Sequence, residues 1–124
     1  NLHILDYCDA VLKLIKAPNN KIENQIFNVG HQNMTIMNIA KKIKKILETK
    51  LKTKIQIITT KSNDKRSYHI NSSKISRVLN FKPKRNIESA VKELIDAFKK
   101  NKIKRSFNDD KYYNVKTLKK LKIK

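Results

Sequence analysis

Glycine is almost missing from this 124-residue chain, with Gly30 the sole example. That excludes the glycine-rich first turn of a dinucleotide fold, whose bare backbone must approach a pyrophosphate at a helix N-terminus. A phosphate-cradling Walker loop is excluded by the same count. Cysteine is equally scarce. Cys8 stands alone, so no internal disulfide can form, which suits a reducing compartment. No apolar run approaches the roughly 18 to 20 residues that cross a bilayer, and the first residues lack the basic-then-apolar layout of a signal peptide. The expectation is a soluble, cytoplasmic chain without membrane attachment. An initiator methionine is also lacking: the chain opens at Asn1 inside what reads as ordered sequence, so a fragment of a longer protein is expected.

Negative charge is the other shortage, with 10 Asp+Glu against 30 Lys+Arg and a net charge of +20. A basic footprint of that size invites a nucleic-acid reading, driven by counterion release from phosphates. The kind of basic residue argues otherwise. There are 26 Lys and only 4 Arg, and Lys, Ile and Asn together make up 57 of the 124 residues. All three have A/T-rich codons, so codon bias raises them together whatever the function. Base readers and phosphate clamps lean on the planar fork of Arg, whereas Lys is a point charge that suits any solvated surface.

What is present is helical periodicity. Asp6 is placed to cap a first helix whose apolar stripe is Tyr7, Ala10, Val11, Leu14 and Ile15, ended by Pro18 and the Asn19-Asn20 pair. A β-prone run over 25–29 follows, stopped at Gly30, where a positive φ is expected. Thr35 caps a second helix with Ile36, Ile39, Ala40, Ile43, Ile46 and Leu47 on one face. A second strand is expected over 54–60, then a polar loop over 61–65. Ser72 or Ser73 starts a short helix that turns Ile75, Val78 and Leu79 inward, and Phe81 and Pro83 break it. Behind an Asn86 cap, Ile87, Ala90, Val91, Leu94, Ile95 and Phe98 mark a third long helix to about residue 100. A Lys-rich tail over 105–124 has Phe107, Tyr112, Tyr113, Leu118 and Leu121 as its only candidate anchors. This order predicts an α/β lobe over 1–104, with helices and two or three short strands. Two strands make no sheet of any size alone, so partner strands are expected elsewhere.

Few residues offer chemistry. His3, Cys8, His31 and His69 do not fall at metal-ligand spacing, so no metal is expected. Cys8 has no histidine placed to activate it as a nucleophile. Tyr112 and Lys116 have the Tyr-x-x-x-Lys spacing of an acid–base pair, but with Lys so abundant roughly one such coincidence is expected by chance, and the pair is rejected as catalytic. Arg66 stands out because arginine is rare. In Asp64-Lys65-Arg66-Ser67-Tyr68 its guanidinium is suited to grip a diphosphate, or to pair structurally with Asp64. The residue types leave both open.

Taken in order, five short segments resemble the extended short-chain dehydrogenase/reductase family, the NAD-dependent sugar-nucleotide epimerases and dehydratases. They are Asn1-Leu2-His3-Ile4-Leu5-Asp6; Gln25-Ile26-Phe27-Asn28-Val29-Gly30 with the helix from Thr35; Asp64-x-Arg66-Ser67-Tyr68 with Ser73-Lys74-Ile75; Leu79-Asn80-Phe81-Lys82-Pro83 with the helix from Ile87; and Asp109-Asp110-Lys111-Tyr112-Tyr113-Asn114-Val115-Lys116. The resemblance implies the C-terminal, substrate-binding part of such an enzyme, with the N-terminal Rossmann domain, its NAD or NADP and its catalytic Tyr-x-x-x-Lys outside these residues. It implies that Arg66 contacts the diphosphate of a nucleotide-sugar, with Asp64 and Tyr68 beside it, and that His3 and Asp6 serve mainly structurally. In the complete enzyme the chemistry would be transient hydride transfer that makes a keto-sugar; this part alone would bind no cofactor and be catalytically silent. A homodimer of the complete enzyme is compatible with the resemblance. Where the family has Leu-Gly-Phe this chain has Leu79-Asn80-Phe81, and Asn is expected to keep the turn because it tolerates left-handed backbone. The alternative is a small basic nucleic-acid-binding module, whose affinity would fall steeply with salt.

Overall fold

The computed structural model describes residues 1–61 and 68–122. The chain divides into two compact units, Asn1–Val91 and Lys92–Lys124. In the first unit, His3 has the extended backbone of a cap (φ −71°, ψ 142°), and its Nδ1 accepts from the Leu5 N–H at 3.2 Å to open α1, Ile4–Ile15. Asp6 therefore lies within the first turn of the helix and is not its cap. The buried face runs through Asp6 and Ala10, with Leu14 and Ala17 packed behind them, while Tyr7 and Ile15 of the expected stripe are exposed. Hydrogen-bond donors on Lys84 and Arg85 draw Asp6 inward, and the helix turns by about one position from its purely apolar stripe.

Pro18 and the two asparagines do end α1, but Asn19-Asn20 go on to form a single helical turn, α2 (Asn19–Ile22). Thr35 caps α3, Ile36–Leu51, its Oγ1 accepting from Asn38 N–H at 3.2 Å. No residue of α3 is fully buried. Ile39, Ala40, Ile43, Ile46 and Leu47 are half-buried on one face, and Ile36, first in the expected stripe, is exposed. The short helix α4, Ser73–Leu79, starts where Asn71 Oδ1 accepts from Ser73 N–H at 2.9 Å and stops at Asn80, whose φ of 48° and ψ of 41° are left-handed. Asparagine thus makes the left-handed turn that glycine most often makes at a helix C-terminus. The long helix α5, Ile87–Lys99, opens on a reciprocal pair: Asn86 Oδ1 accepts from Ser89 N–H at 3.0 Å, and Ser89 Oγ accepts from Asn86 N–H at 3.1 Å.

The α/β expectation is overturned, because among the described residues there are helices and no strand. The stretches 25–29 and 54–60 are non-helical, as their β-branched content requires, but neither finds a ladder. Gln25 N–H closes a turn onto Ile22 O, and Ile55 N–H donates to the side chain of Glu48 at 3.0 Å. A strand is defined by its lateral partner, which composition cannot supply. Gly30 also departs from expectation, since its φ is not positive. The left-handed positions fall on Asn24, Lys52, Asn80, Asn101, Arg105 and Lys122.

The core of the first unit is small: Ala10, Ile75, Leu79 and Phe81 are buried, with Leu14, Ala17, Ile22, Phe27, Val29 and Val78 packed on them. The second unit holds the end of α5, a 3-10 turn at Asp110–Tyr112 and a short helix α6, Asn114–Lys120. None of its described residues is buried. Polar bonds organise it: Tyr113 OH donates to Phe107 O at 2.9 Å and Thr117 Oγ1 to Asp110 O at 2.6 Å. The hydrogen bond from Lys111 N–H holds the Asp109 carboxyl below its usual value, and Lys120 does so for Asp110. Of the candidate anchors in the tail, Tyr113 is half-buried and Phe107 is 87% exposed.

Candidate functional site

Two of the three residues singled out for substrate binding, Asp64 and Arg66, lie outside the described residues. The third, Tyr68, is 74% exposed at the lip of a cleft. That cleft is built from the segment after Gly30. Asn33 uses its whole amide on one backbone residue, donating from Nδ2 to Ile70 O at 2.9 Å and accepting at Oδ1 from Ile70 N–H at 3.1 Å. This two-way clasp ties the chain around Ile70 to the lead-in of α3. Between them opens a cleft of about 400 Å³, bounded chiefly by Gln32, Met34, Ile36, Ile39, Tyr68 and Ile70. Its size falls within the roughly 300 to 1,000 Å³ of small-molecule sites. The floor of the lead-in is fixed by Asn1, whose backbone O accepts from His31 N–H at 2.9 Å and whose side-chain Nδ2 donates to Gln32 O at 3.2 Å. Gln32 Oε1 is buried and has no hydrogen-bond partner.

A second cluster was not singled out by sequence, although one member, Asp6, was expected to act structurally. Asp6 is 1% exposed, the only buried charged residue among those described. Its Oδ2 accepts from Arg85 N–H at 2.9 Å and Lys84 N–H at 3.2 Å, and its Oδ1 from Arg85 Nη1 at 2.7 Å. Arg85 Nη1 also reaches Asp9 Oδ2 at 3.0 Å. Burial alone would push the Asp6 carboxyl up, but the backbone donors of Arg85 and Lys84 and then the guanidinium outweigh it and hold it below its ordinary value. The arrangement fastens the linker between α4 and α5 to the first turns of α1. Both ends of the cluster were visible in the sequence: Asp6 and Asp9 lie three apart on one helical face, and Arg85 is another of the scarce arginines. Nothing in the sequence said that they meet.

Other expectations are answered locally. Tyr112 lies in the 3-10 turn and Lys116 on α6, so no single helix presents them together; Lys116 Nζ sits over the ring of Tyr113 at 4.5 Å and near Asp110 at 3.9 Å. The described residues do not fit a dinucleotide. A Cβ added at Gly30 would meet Ile70 Cγ2 and Ser72 Oγ at an ordinary 3.4 Å, so the glycine clears no path for a phosphate, and its turn is not repeated by other glycines. No described helix is long and apolar enough to cross a membrane. No family model matches the chain, and searches of curated proteins and of solved structures return no match.

Proposed function

We propose that this chain is the substrate-binding part of an NAD(P)-dependent nucleotide-sugar epimerase or dehydratase, in which Arg66 grips the diphosphate of the substrate with Asp64 and Tyr68 beside it. The observation that carries the reading is which residues make the core. Phe27 and Val29 come from the Phe-Asn-Val-Gly segment, Ile75 from Ser-Lys-Ile, and Leu79 and Phe81 from Leu-Asn-Phe, and these separate motifs pack on one another and on Ala10 of α1. Asp6, from the first motif, is bonded to Lys84 and Arg85, directly after Pro83. Segments that resemble one family in linear order therefore also depend on one another in space, as parts of one ancestral lobe would. Between two of them lies the cleft with Tyr68 at its lip.

The oxidation and reduction of the sugar are not assigned to these residues, which do not fit the cofactor. Their part is to hold the substrate by its charged middle, so the chain alone is expected to be catalytically silent. Arg66→Ala in the complete enzyme should cost about 1.5 to 3 kcal/mol of nucleotide-sugar affinity, the scale of a charge-assisted bond to phosphate. Steady-state kinetics read this as a raised KM, and an unchanged KM and kcat would remove the anchor role. The basic nucleic-acid module is separated by titrating the chain with a nucleoside diphosphate and with a 20-nucleotide DNA over a salt series. Tight DNA binding with a steep salt slope, and no response to the nucleotide, would favour that alternative.

A further inference from the structure

The short helix α6 is oriented against its own pattern. On a helix of 3.6 residues per turn Val115, Leu118 and Leu121 fall within about 120° of one another, and Lys116, Thr117 and Lys120 lie on the opposite side. An amphipathic helix in a folded unit ordinarily turns its apolar side inward. Here the polar side is engaged instead. Thr117 Oγ1 donates to Asp110 O at 2.6 Å, Lys116 Nζ sits 4.5 Å from the centre of the Tyr113 ring, and Lys120 pairs with Asp110. The apolar side is left to water, with Val115 66%, Leu121 61% and Leu118 46% exposed. Phe107, whose backbone O is tied to the start of α6 by the Tyr113 hydroxyl, is also bare.

We infer that α6 and Phe107 form a docking surface for a membrane with anionic headgroups, on which the helix lies flat with Val115, Leu118 and Leu121 toward the acyl chains. Charge is the first ground for this occupant. The unit Lys92–Lys124 has twelve basic residues against four acidic, and two of the four, Asp109 and Asp110, are already paired with Lys111 and Lys120. A second copy of the chain would bring the same positive excess to the contact, whereas a leaflet of anionic lipid supplies the opposite sign. Apolar exposure is the second ground. Nucleic acid would use the lysines and leave Val115, Leu118 and Leu121 in water; a bilayer takes ammonium groups at its headgroups and aliphatic side chains beneath them. Shape is the third. A protein partner has to offer a groove matched to this convex face, and fluid lipid conforms to it. Codon bias accounts for the number of lysines but not for a helix that turns its leucines outward. No described helix is long and apolar enough to cross a membrane, and a helix that lies on the surface need not be. The inference is independent of Arg66 and of the substrate reading.

The test is flotation of the 124-residue chain with vesicles of phosphatidylcholine alone and of phosphatidylcholine and phosphatidylserine in a three-to-one mixture, at about 0.1 M salt. A Phe107→Trp variant is read alongside by fluorescence, since the chain has no tryptophan of its own. With the mixed vesicles the chain should float and the indole emission should shift to the blue; with phosphatidylcholine alone neither should happen. Leu118→Ser combined with Leu121→Ser leaves the charge unchanged and should weaken binding about tenfold. Both leucines are exposed, so the circular dichroism spectrum should stay as in the parent chain. Failure to float with the mixed vesicles would overturn the inference. So would an emission maximum that keeps its value in water, or equal binding by the serine variant, because either means that positive charge alone adsorbs to the vesicle. A parent chain that sediments as a dimer, with a serine variant that sediments as a monomer, would overturn it in favour of a second copy.

Discussion

Replacing Asp6 by alanine is the perturbation with the most to say about this fold. The carboxylate accepts three hydrogen bonds, at 2.9 and 3.2 Å from the backbone of Arg85 and Lys84 and at 2.7 Å from the guanidinium. A hydrogen bond to a charged group contributes about 1.5 to 3 kcal/mol, and three would sum to an upper bound of about 9 kcal/mol, a large share of the whole stability of a small domain. The bonds are not additive, Arg85 keeps Asp9, and the Arg85 side chain is 29% exposed, so water recovers part of the loss. The expected cost is about 2 to 4 kcal/mol, set mainly by two backbone N–H groups left without an acceptor. Asp6→Asn keeps the shape and one acceptor oxygen but turns an amide N–H toward the guanidinium, and should cost about half as much. Asp9→Ala, which loses only a half-exposed ion pair, should cost less than about 1 kcal/mol. Urea denaturation followed by circular dichroism gives the three values. Equal losses for Asp6→Ala and Asp9→Ala, or a loss below about 0.5 kcal/mol for Asp6→Ala, would refute this account of the cluster.

The same group sets a pH dependence with a definite sign. The folded-state pKa of Asp6 is lowered from the ordinary carboxyl value, so the folded state favours the ionised form more than the unfolded chain does. The stability it contributes is present above the unfolded carboxyl pKa and is lost as pH falls through the lower folded value. Asp6→Ala should therefore lie below the parent at about pH 6 and approach it in strong acid.

Three further substitutions probe separate links. Phe81→Ala empties a buried ring site in the small core and should cost about 3 to 5 kcal/mol, while Phe107→Ala should change stability by less than about 0.5 kcal/mol, both read by urea midpoints. Asn80→Gly should be neutral or slightly stabilising and Asn80→Ala should cost about 1 kcal/mol, because φ is 48° there; equal effects would mean that the turn is not held in the left-handed region. Thr35→Ala should lower stability by about 1 kcal/mol and Thr35→Ser by much less, since only the hydroxyl cap to Asn38 is at stake.

The long helices were legible because their information is local. Thr35 and Asn86 announce caps, the stripes of α3 and α5 repeat at helical spacing, and Asn80 stands at a turn where only a residue tolerant of positive φ fits. The absence of strands among the described residues was not legible. Residues 25–29 and 54–60 have the composition of strands, but whether an extended segment belongs to a sheet depends on a neighbour beside it, and none of the described residues provides one. The face of α1 was misjudged by one position for a related reason: an apolar stripe predicts burial only when no polar group has a better claim to the interior. Asp6 had that claim through donors 78 and 79 residues away.

For the site, sequence alone picked out Arg66 by its rarity and its company, and placed Tyr68 beside it. Only the folded chain brought Tyr68 to a cleft shared with Gln32, because the clasp of Asn33 on Ile70 spans 37 residues and leaves no trace in local spacing. The sequence by itself determined where α3 and α5 begin, which residues are too few for a dinucleotide turn or a disulfide, and how strongly basic the chain would be. Tertiary structure decided which carboxylate is buried, which backbone is left unpaired and where a ligand can enter, since each depends on groups far apart in sequence meeting at hydrogen-bond distance.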